Sequence, residues 1–191
     1  KTESWNGTNW TNVNDLNTGR QTLAGAGATN TAAIAFGGSV SPNAQTELWN
    51  GTNWTNVNDL NTGRADLAGA GTSTAGLGFG GPSGQTESWN GTNWTEVNDM
   101  NAARSELGGD GTSTSAVGFG GGPPTNNATE TWNGTNWSID TAMSVPRKRP
   151  GSGGTSNTSA LAFGGESPPN VTAATEEFTK PGILTKTITT S

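Results

Sequence analysis

One stretch recurs along the chain at a nearly fixed interval, and that recurrence restricts the fold more than anything else in the sequence. Thr-Glu-Ser-Trp-Asn-Gly-Thr-Asn-Trp at residues 2–10 returns at 46–54, 86–94 and 129–137, and a degraded copy, Thr175-Glu-Glu-Phe178, closes the series. The first Trp of each copy falls at 5, 49, 89 and 132, giving spacings of 44, 40 and 43 residues. Phe-Gly-Gly begins at Phe36, Phe79, Phe119 and Phe163, and an arginine stands at Arg20, Arg64, Arg104 and Arg147. Three unrelated markers on one period of roughly 40 residues indicate a repeated supersecondary unit that buries its apolar face against its neighbours.

Within one period the chain reads as four short antiparallel strands. Leu23–Gly27 is a strand of small residues and Thr31–Phe36 an apolar run suited to a fully buried strand. Gly37-Gly38 stops it, a polar loop with Pro42 follows, and two strands, Glu47–Trp49 and Asn53–Val57, flank Asn50-Gly51. Asn-Gly between strand-like segments predicts a two-residue type I′ turn. In the first copy that turn sets Trp5 opposite Thr8 and Glu3 opposite Trp10, with all four on one face. Modules of four strands and 40–50 residues suggest propeller blades, with Gly/Ala strands near the axis and Trp hairpins outside. A linear β-solenoid is the alternative. The modules are a partial one at about 2–19, then 20–63, 64–103, 104–146 and 147–179, with 180–191 a terminal strand or linker; Ile183–Thr190 alternates as a strand does. This gives five claims on outer strands and four inner pairs. The expectation is therefore an all-β propeller of about four blades, or five if further chain or another subunit completes it.

Composition narrows the chemistry. The chain is only 29% hydrophobic and has 30 glycines, which alone leans towards disorder, but aromatics kept in register argue for order. A net charge of −6 with scattered signs disfavours nucleic acid as a partner, and no apolar run is long enough for a membrane span. His, Cys and Tyr are all absent. Disulfides, Ser–His–Asp and Cys–His machinery and imidazole or thiolate metal sites are thereby excluded. Glu3, Glu47, Glu87 and Glu130 could serve a glycosidase, but each sits at the same place in its own repeat, which suits a structural role better than two differently tuned carboxyls. No catalytic residue, cofactor or metal is expected. Lys1 in place of Met suggests a processed chain or part of a longer polypeptide.

Other recurrent residues each have a functional and a structural reading. Asn12–Asn17 and Asn56–Asn61 could form a Ca²⁺ loop but lack the EF-hand charge count and spacing, so Asx turns that lead from blade to blade are preferred. Arg20, Arg64, Arg104 and Arg147 could ring a pore or anionic ligand; tying of adjacent blades through carbonyls or a carboxylate by the guanidinium fork is preferred. Trp5, Trp10, Trp49, Trp54, Trp89, Trp94, Trp132 and Trp137 are expected as outer-blade packing rather than as sugar-stacking platforms. Asn6, Asn9 and their copies, with Asn127, Asn157 and Asn170, lie in glycosylation sequons, yet turn and strand requirements account for the repeated ones.

The hydrophobic strand ending in Gly-Gly and followed by two spaced aromatics (Phe36-Gly37-Gly38, then Trp49 and Trp54) resembles the kelch repeat over about residues 2–178. Here Trp takes the usual Tyr position, the aromatics are closer together, and the modules are shorter. The wording Trp-Asn-Gly-Thr-Asn-Trp-Thr-x-Val-Asn-Asp-Leu-Asn-Thr is similar to kelch-like repeats of marine bacteriophages and environmental viral sequences that accompany tail-fibre or virion genes. The resemblance implies a β-propeller binding scaffold in a virion or other extracellular setting. It also implies none of the copper-radical oxidase chemistry found on kelch propellers, which needs Tyr, His and Cys.

Recognition is expected where the repeats differ. The loops between second and third strands are 39–45, 82–85, 122–128 and 166–174, of 7, 4, 7 and 9 residues, whereas the Asn-Gly turns hardly vary. Variation on one face over a constant frame marks a binding surface. The candidates are Ser39, Ser41, Pro42 and Asn43; Pro82 and Ser83; Pro123, Pro124, Thr125 and Asn126; and Ser167 and Asn170. The expected function is non-enzymatic adhesion to a cell-surface glycan or protein receptor, with other virion or tail subunits as further partners and a homo-oligomer open. Structural decoration or self-assembly of a capsid, tail or filament is the second reading, and a glycan-active enzyme a distant third.

Overall fold

A computed structural model describes residues 1–180 and consists of strands, with no helix among them. Hairpin β1 (Thr2–Trp5) and β2 (Trp10–Val13) comes first. Blade one follows as β3 (Ala24–Thr29), β4 (Ala32–Phe36), β5 (Thr46–Trp49) and β6 (Trp54–Asn56). Blade two is β7 (Leu67–Thr72), β8 (Ala75–Gly80), β9 (Thr86–Trp89) and β10 (Trp94–Val97). Blade three is β11 (Gly108–Thr112), β12 (Ser115–Phe119), β13 (Thr129–Trp132) and β14 (Trp137–Asp140). Blade four has β15 (Gly151–Ser156) and β16 (Ser159–Phe163), a small hairpin of β17 (Glu166–Ser167) and β18 (Asn170–Val171), and β19 (Thr175–Thr179). Strands in blades one to three pair in sequence order; in blade four β15, β16 and β19 form a three-stranded sheet with β17–β18 apart from it, and all pairs are antiparallel. The molecule is a four-bladed β-propeller.

Glycine lets the blades approach. A Cβ on Gly69 would lie 2.6 Å from the Gly25 carbonyl oxygen and 2.9 Å from the Phe36 ring, and one on Gly109 would lie 2.5 Å from the Phe79 ring. The core is therefore divided among blade junctions. Phe36 of blade one meets Trp94 of blade two with centroids 4.7 Å apart, and Phe79 meets Trp137 of blade three at 4.9 Å. Such tilted ring pairs contribute about 0.5–1.5 kcal/mol beyond their area burial. Each buried indole N–H also has a partner. Trp49, Trp89 and Trp132 donate to the carbonyls of Asn30, Ser73 and Ser113, while Trp94 and Trp137 donate to Thr46 and Thr86 of the preceding blade. Few apolar residues suffice because those present are large and shared between neighbours.

The hairpin register departs from the sequence expectation. Trp5 pairs with Trp10 and Glu3 with Asn12, so neither Trp5–Thr8 nor Glu3–Trp10 are opposites. The connection has four residues, Asn6–Asn9, rather than two. Gly7 has φ +95°, but Asn6 does not share the positive φ that a type I′ turn needs. Instead the Asn6 side-chain oxygen accepts from the N–H groups of Thr8 and Asn9, both at 2.9 Å, an Asx turn repeated at Asn50, Asn90 and Asn133. The longer loop sets the two indoles directly opposite, 5.6 Å apart in this hairpin.

Blade closure follows from which hairpin reaches β16. β19 pairs with it, Phe163 opposite Thr175, so β1–β2 forms a separate two-stranded sheet. The strand expected at Ile183–Thr190 lies outside the described residues. Inner strands pack as β3–β7, β7–β11 and β11–β15, and β15 and β3 do not form such a packed pair.

Candidate ligand-binding face

In a four-stranded antiparallel blade the second-to-third loop and the connection to the next blade open on the same end. Backbone bonds join them here. Gly38, Gly81 and Gly121, the second glycines of Phe-Gly-Gly, donate to the carbonyls of Arg64, Arg104 and Arg147 in the next connection. Positive φ is required at this bend: a Cβ on Gly120 would lie 2.4 Å from the Arg147 carbonyl oxygen.

The landmark arginines are structural clamps, but each holds its connection to the blade that follows it rather than tying two blades together as expected. Arg20, Arg64 and Arg104 reach Glu47, Glu87 and Glu130 at 2.5, 2.6 and 2.7 Å, and each also donates to a second-strand carbonyl at 3.2 Å. The other oxygen of each glutamate accepts the backbone N–H of Asn17, Asn61 or Asn101 at 2.7 Å. Burial pulls the Arg104 guanidinium below its ordinary pKa against the opposing pull of Glu130. Arg147 clamps Glu176 in the same manner. Burial tends to raise the Glu176 carboxyl, but the Ser144 and Val145 N–H groups and the Arg147 charge hold it below the usual range. The repeated Asn-rich stretch is likewise occupied in joining blades: the Asn14, Asn58 and Asn98 amides donate to Thr52, Thr92 and Thr135 carbonyls of the following blade.

The candidate loop residues crown this end. Ser39, Ser41, Pro42 and Asn43 are exposed, as are Pro82, Ser83, Pro123, Pro124 and Asn170, while Thr125, Asn126 and Ser167 are half-buried. Asn126 is bound up in its own loop, its side chain accepting from Ala128 N–H and its carbonyl accepting from Arg147 N–H. The longest loop folds into the β17–β18 hairpin, with Ser167 opposite Asn170. Among the indoles, Trp49, Trp89, Trp94, Trp132 and Trp137 are buried and Trp54 is half-buried, whereas Trp5 and Trp10 are 44% and 66% exposed.

A central feature escaped the sequence reading. Two residues after each landmark arginine the backbone is left-handed at a non-glycine residue: Thr22 (φ 53°), Asp66 (58°), Glu106 (59°) and Arg149 (51°). Such a conformation costs about 1–3 kcal/mol. It is offset by a ladder in which Asp66 N–H donates to Thr22, Glu106 to Asp66 and Arg149 to Glu106 at 3.0, 2.9 and 2.6 Å. These positions ring the inner-strand end of the blades on the side of the variable loops. Their side chains vary between blades (a hydroxyl, two carboxylates and a guanidinium) while the flanking Arg and Leu or Pro recur, and that contrast was the available signal.

At blade four the ring gathers charge. Arg149 donates to Glu106 and, at 2.8 Å, to Glu166; Lys148 lies 3.1 Å from Glu106 and 3.4 Å from Glu166. Hydrogen bonds to Glu106 and then Glu166 hold the Lys148 ammonium above its ordinary pKa, and the Glu166 bond followed by the Glu106 charge does so for Arg149. Hydrogen bonds from Arg149 and Lys148 depress Glu166. Below the ring, the four inner strands line an open axial cavity of about 760 Å³ whose walls are mostly Gly, Ala and Thr. Among the described residues Asp110 is its one carboxylate, raised by burial against bonds from the Gly111 and Gly154 N–H groups. The face thus combines polar loops, fixed charges of both signs and a small-residue funnel, a surface able to bind polyhydroxylated or peptide ligands by hydrogen bonds. The chain matches no protein-family model, and a search of curated proteins finds no match.

Proposed function

We propose that the chain is a kelch-like, non-enzymatic binding module of a phage virion, tail fibre or other extracellular assembly, gripping a cell-surface glycan or protein with its variable-loop face. One observation carries this reading: the unequal loops and the unequal ring residues Thr22, Asp66, Glu106 and Arg149 stand on one end of a frame whose Arg–Glu clamps and Trp hairpins repeat with little change. A rigid scaffold that varies at one end is how binding loops are presented. The kelch and phage assignments are supported by the Phe-Gly-Gly and Trp-Asn-Gly-Thr-Asn-Trp wording.

The test is binding to a glycan array and to candidate host cells. Replacing 39–45 and 166–174 by short Gly-Ser loops is expected to abolish binding while circular dichroism stays unchanged. Binding that survives both replacements overturns the assignment of this face.

A further inference from the structure

The four inner strands differ in charge at a single place. Six residues after each landmark arginine stand Ala26, Ala70, Asp110 and Gly153. Crowding at the axis explains the alanines and the glycine; blade three alone puts a charge there. Asp110 is at the middle of β11, and β7 and β15 pack on its two sides, so it stands within the ring rather than at its end. It is half-buried and lines the axial cavity. Its Oδ1 accepts from the Gly111 N–H at 2.7 Å, and the Gly154 N–H of β15 also bonds to it. An uncharged acceptor would serve those N–H groups without the cost of burying a charge, and a carboxylate has lone pairs beyond the two they use.

The surroundings leave that charge unbalanced. Among the described residues no lysine or arginine lines the cavity. At the rim, Lys148 and Arg149 are taken up by Glu106 and Glu166, and Asp66 holds no ion pair among the described residues. The paired rim charges cancel, which leaves Asp66 at the mouth and Asp110 inside as the net charge along the axis. A cleft of one sign concentrates ions of the other. The space, about 760 Å³, lies within the range of small-molecule sites, and Thr29, Thr72, Thr112 and Thr155 bring hydroxyl-bearing residues to it from all four inner strands.

We propose that the axial cavity is a binding site for a primary ammonium group of a ligand, with Asp110 as its counter-charge and Asp66 on its approach. This rests on the reading of the variable-loop end as the binding face and names the chemistry of what enters it. The ammonium of an amino sugar and that of a lysine side chain are the same chemistry, a compact cation with three donors. Either would hold Asp110 ionised against the burial that raises it.

The probes are glucosamine, N-acetylglucosamine and Nα-acetyl-lysine amide, titrated into the full chain while the NMR signals of the Gly111 and Gly154 amides are followed. Saturable shifts are expected with glucosamine or the lysine amide and none with N-acetylglucosamine, which keeps the sugar ring and lacks the charge. The tighter of the two amines identifies the source. Asp110→Asn keeps an acceptor for Gly111 and Gly154 and removes only the charge. The melting temperature should therefore hold while amine affinity falls about tenfold or more, as on loss of a hydrogen bond to a charged group. Asp66→Asn should weaken binding about two- to fivefold, the effect of a surface charge. No saturable shift, equal binding of the two sugars, or amine binding that Asp110→Asn leaves unchanged overturns the proposal. Host-cell binding that is lost on loop replacement but accompanied by no amine shift overturns this inference alone and leaves the assignment of the face standing.

Discussion

The junction between blades two and three and the N-terminal hairpin contain nearly the same words, and they differ in what surrounds them. Thr86-Glu-Ser-Trp89 and Thr2-Glu-Ser-Trp5 are identical, and each forms an antiparallel hairpin with the same Asx turn. In blade two Glu87 is fully buried on Arg64 and Trp89 is 1% exposed; in the hairpin Glu3 is exposed and Trp5 is 44% exposed. Local sequence thus sets the hairpin, and neighbouring inner strands decide whether its side chains become core. Stability in such an array is concentrated at interfaces between repeats.

Glutamate substitution probes this contrast most strongly. Glu87→Ala leaves Arg64 buried without its carboxylate and Asn61 without its acceptor, and should cost about 3–5 kcal/mol, the usual effect of breaking a buried pair. Glu3→Ala should stay within about 0.5 kcal/mol, as surface changes do. Denaturant midpoints measure both, and equal losses would break the comparison. Phe79→Ala comes next, at about 3 kcal/mol, the lower end for truncating a buried aromatic. Phe163→Ala, 46% exposed in the wild type, should cost less than about 1 kcal/mol.

The smallest effect concerns pH at blade four. Glu176 has a depressed pKa in the folded chain, so the stability it contributes is full above the ordinary glutamate value of about 4.3 and is lost as pH falls through its lower folded value. Protection factors of the Ser144 and Val145 amides, taken against their intrinsic exchange rates, should therefore fall on acidification, and Glu176→Gln should remove that step. Asp110, raised by burial, works in the opposite sense, losing stability as pH rises through its folded value.

Much of the architecture was legible in the period alone. Spacing of Trp, Phe-Gly-Gly and Arg marked the blades, and Gly/Ala runs marked the axis, because steric crowding there admits little else. That Arg64 and Asn58 serve the frame was legible too, but not how: Arg64 holds its own blade rather than two, and Asn58 reaches the next blade with its amide rather than through an Asx turn. The ring at Thr22, Asp66, Glu106 and Arg149 was not. Its residues, a hydroxyl, two carboxylates and a guanidinium, have in common only a left-handed backbone held by bonds between segments some 40 residues apart.

The sequence by itself determined that this chain repeats, that each repeat is four short strands, and that its outer hairpin turns at Asn-Gly, because those features depend on residues close together in the chain. Only the tertiary structure decided that β19 rather than β1 completes β16, and that Glu87 and Trp89 are buried where the identical words leave Glu3 and Trp5 exposed. Those outcomes depend on which of several near-identical strands stands beside a given edge. Near-identical sequences cannot specify that choice; their neighbours do.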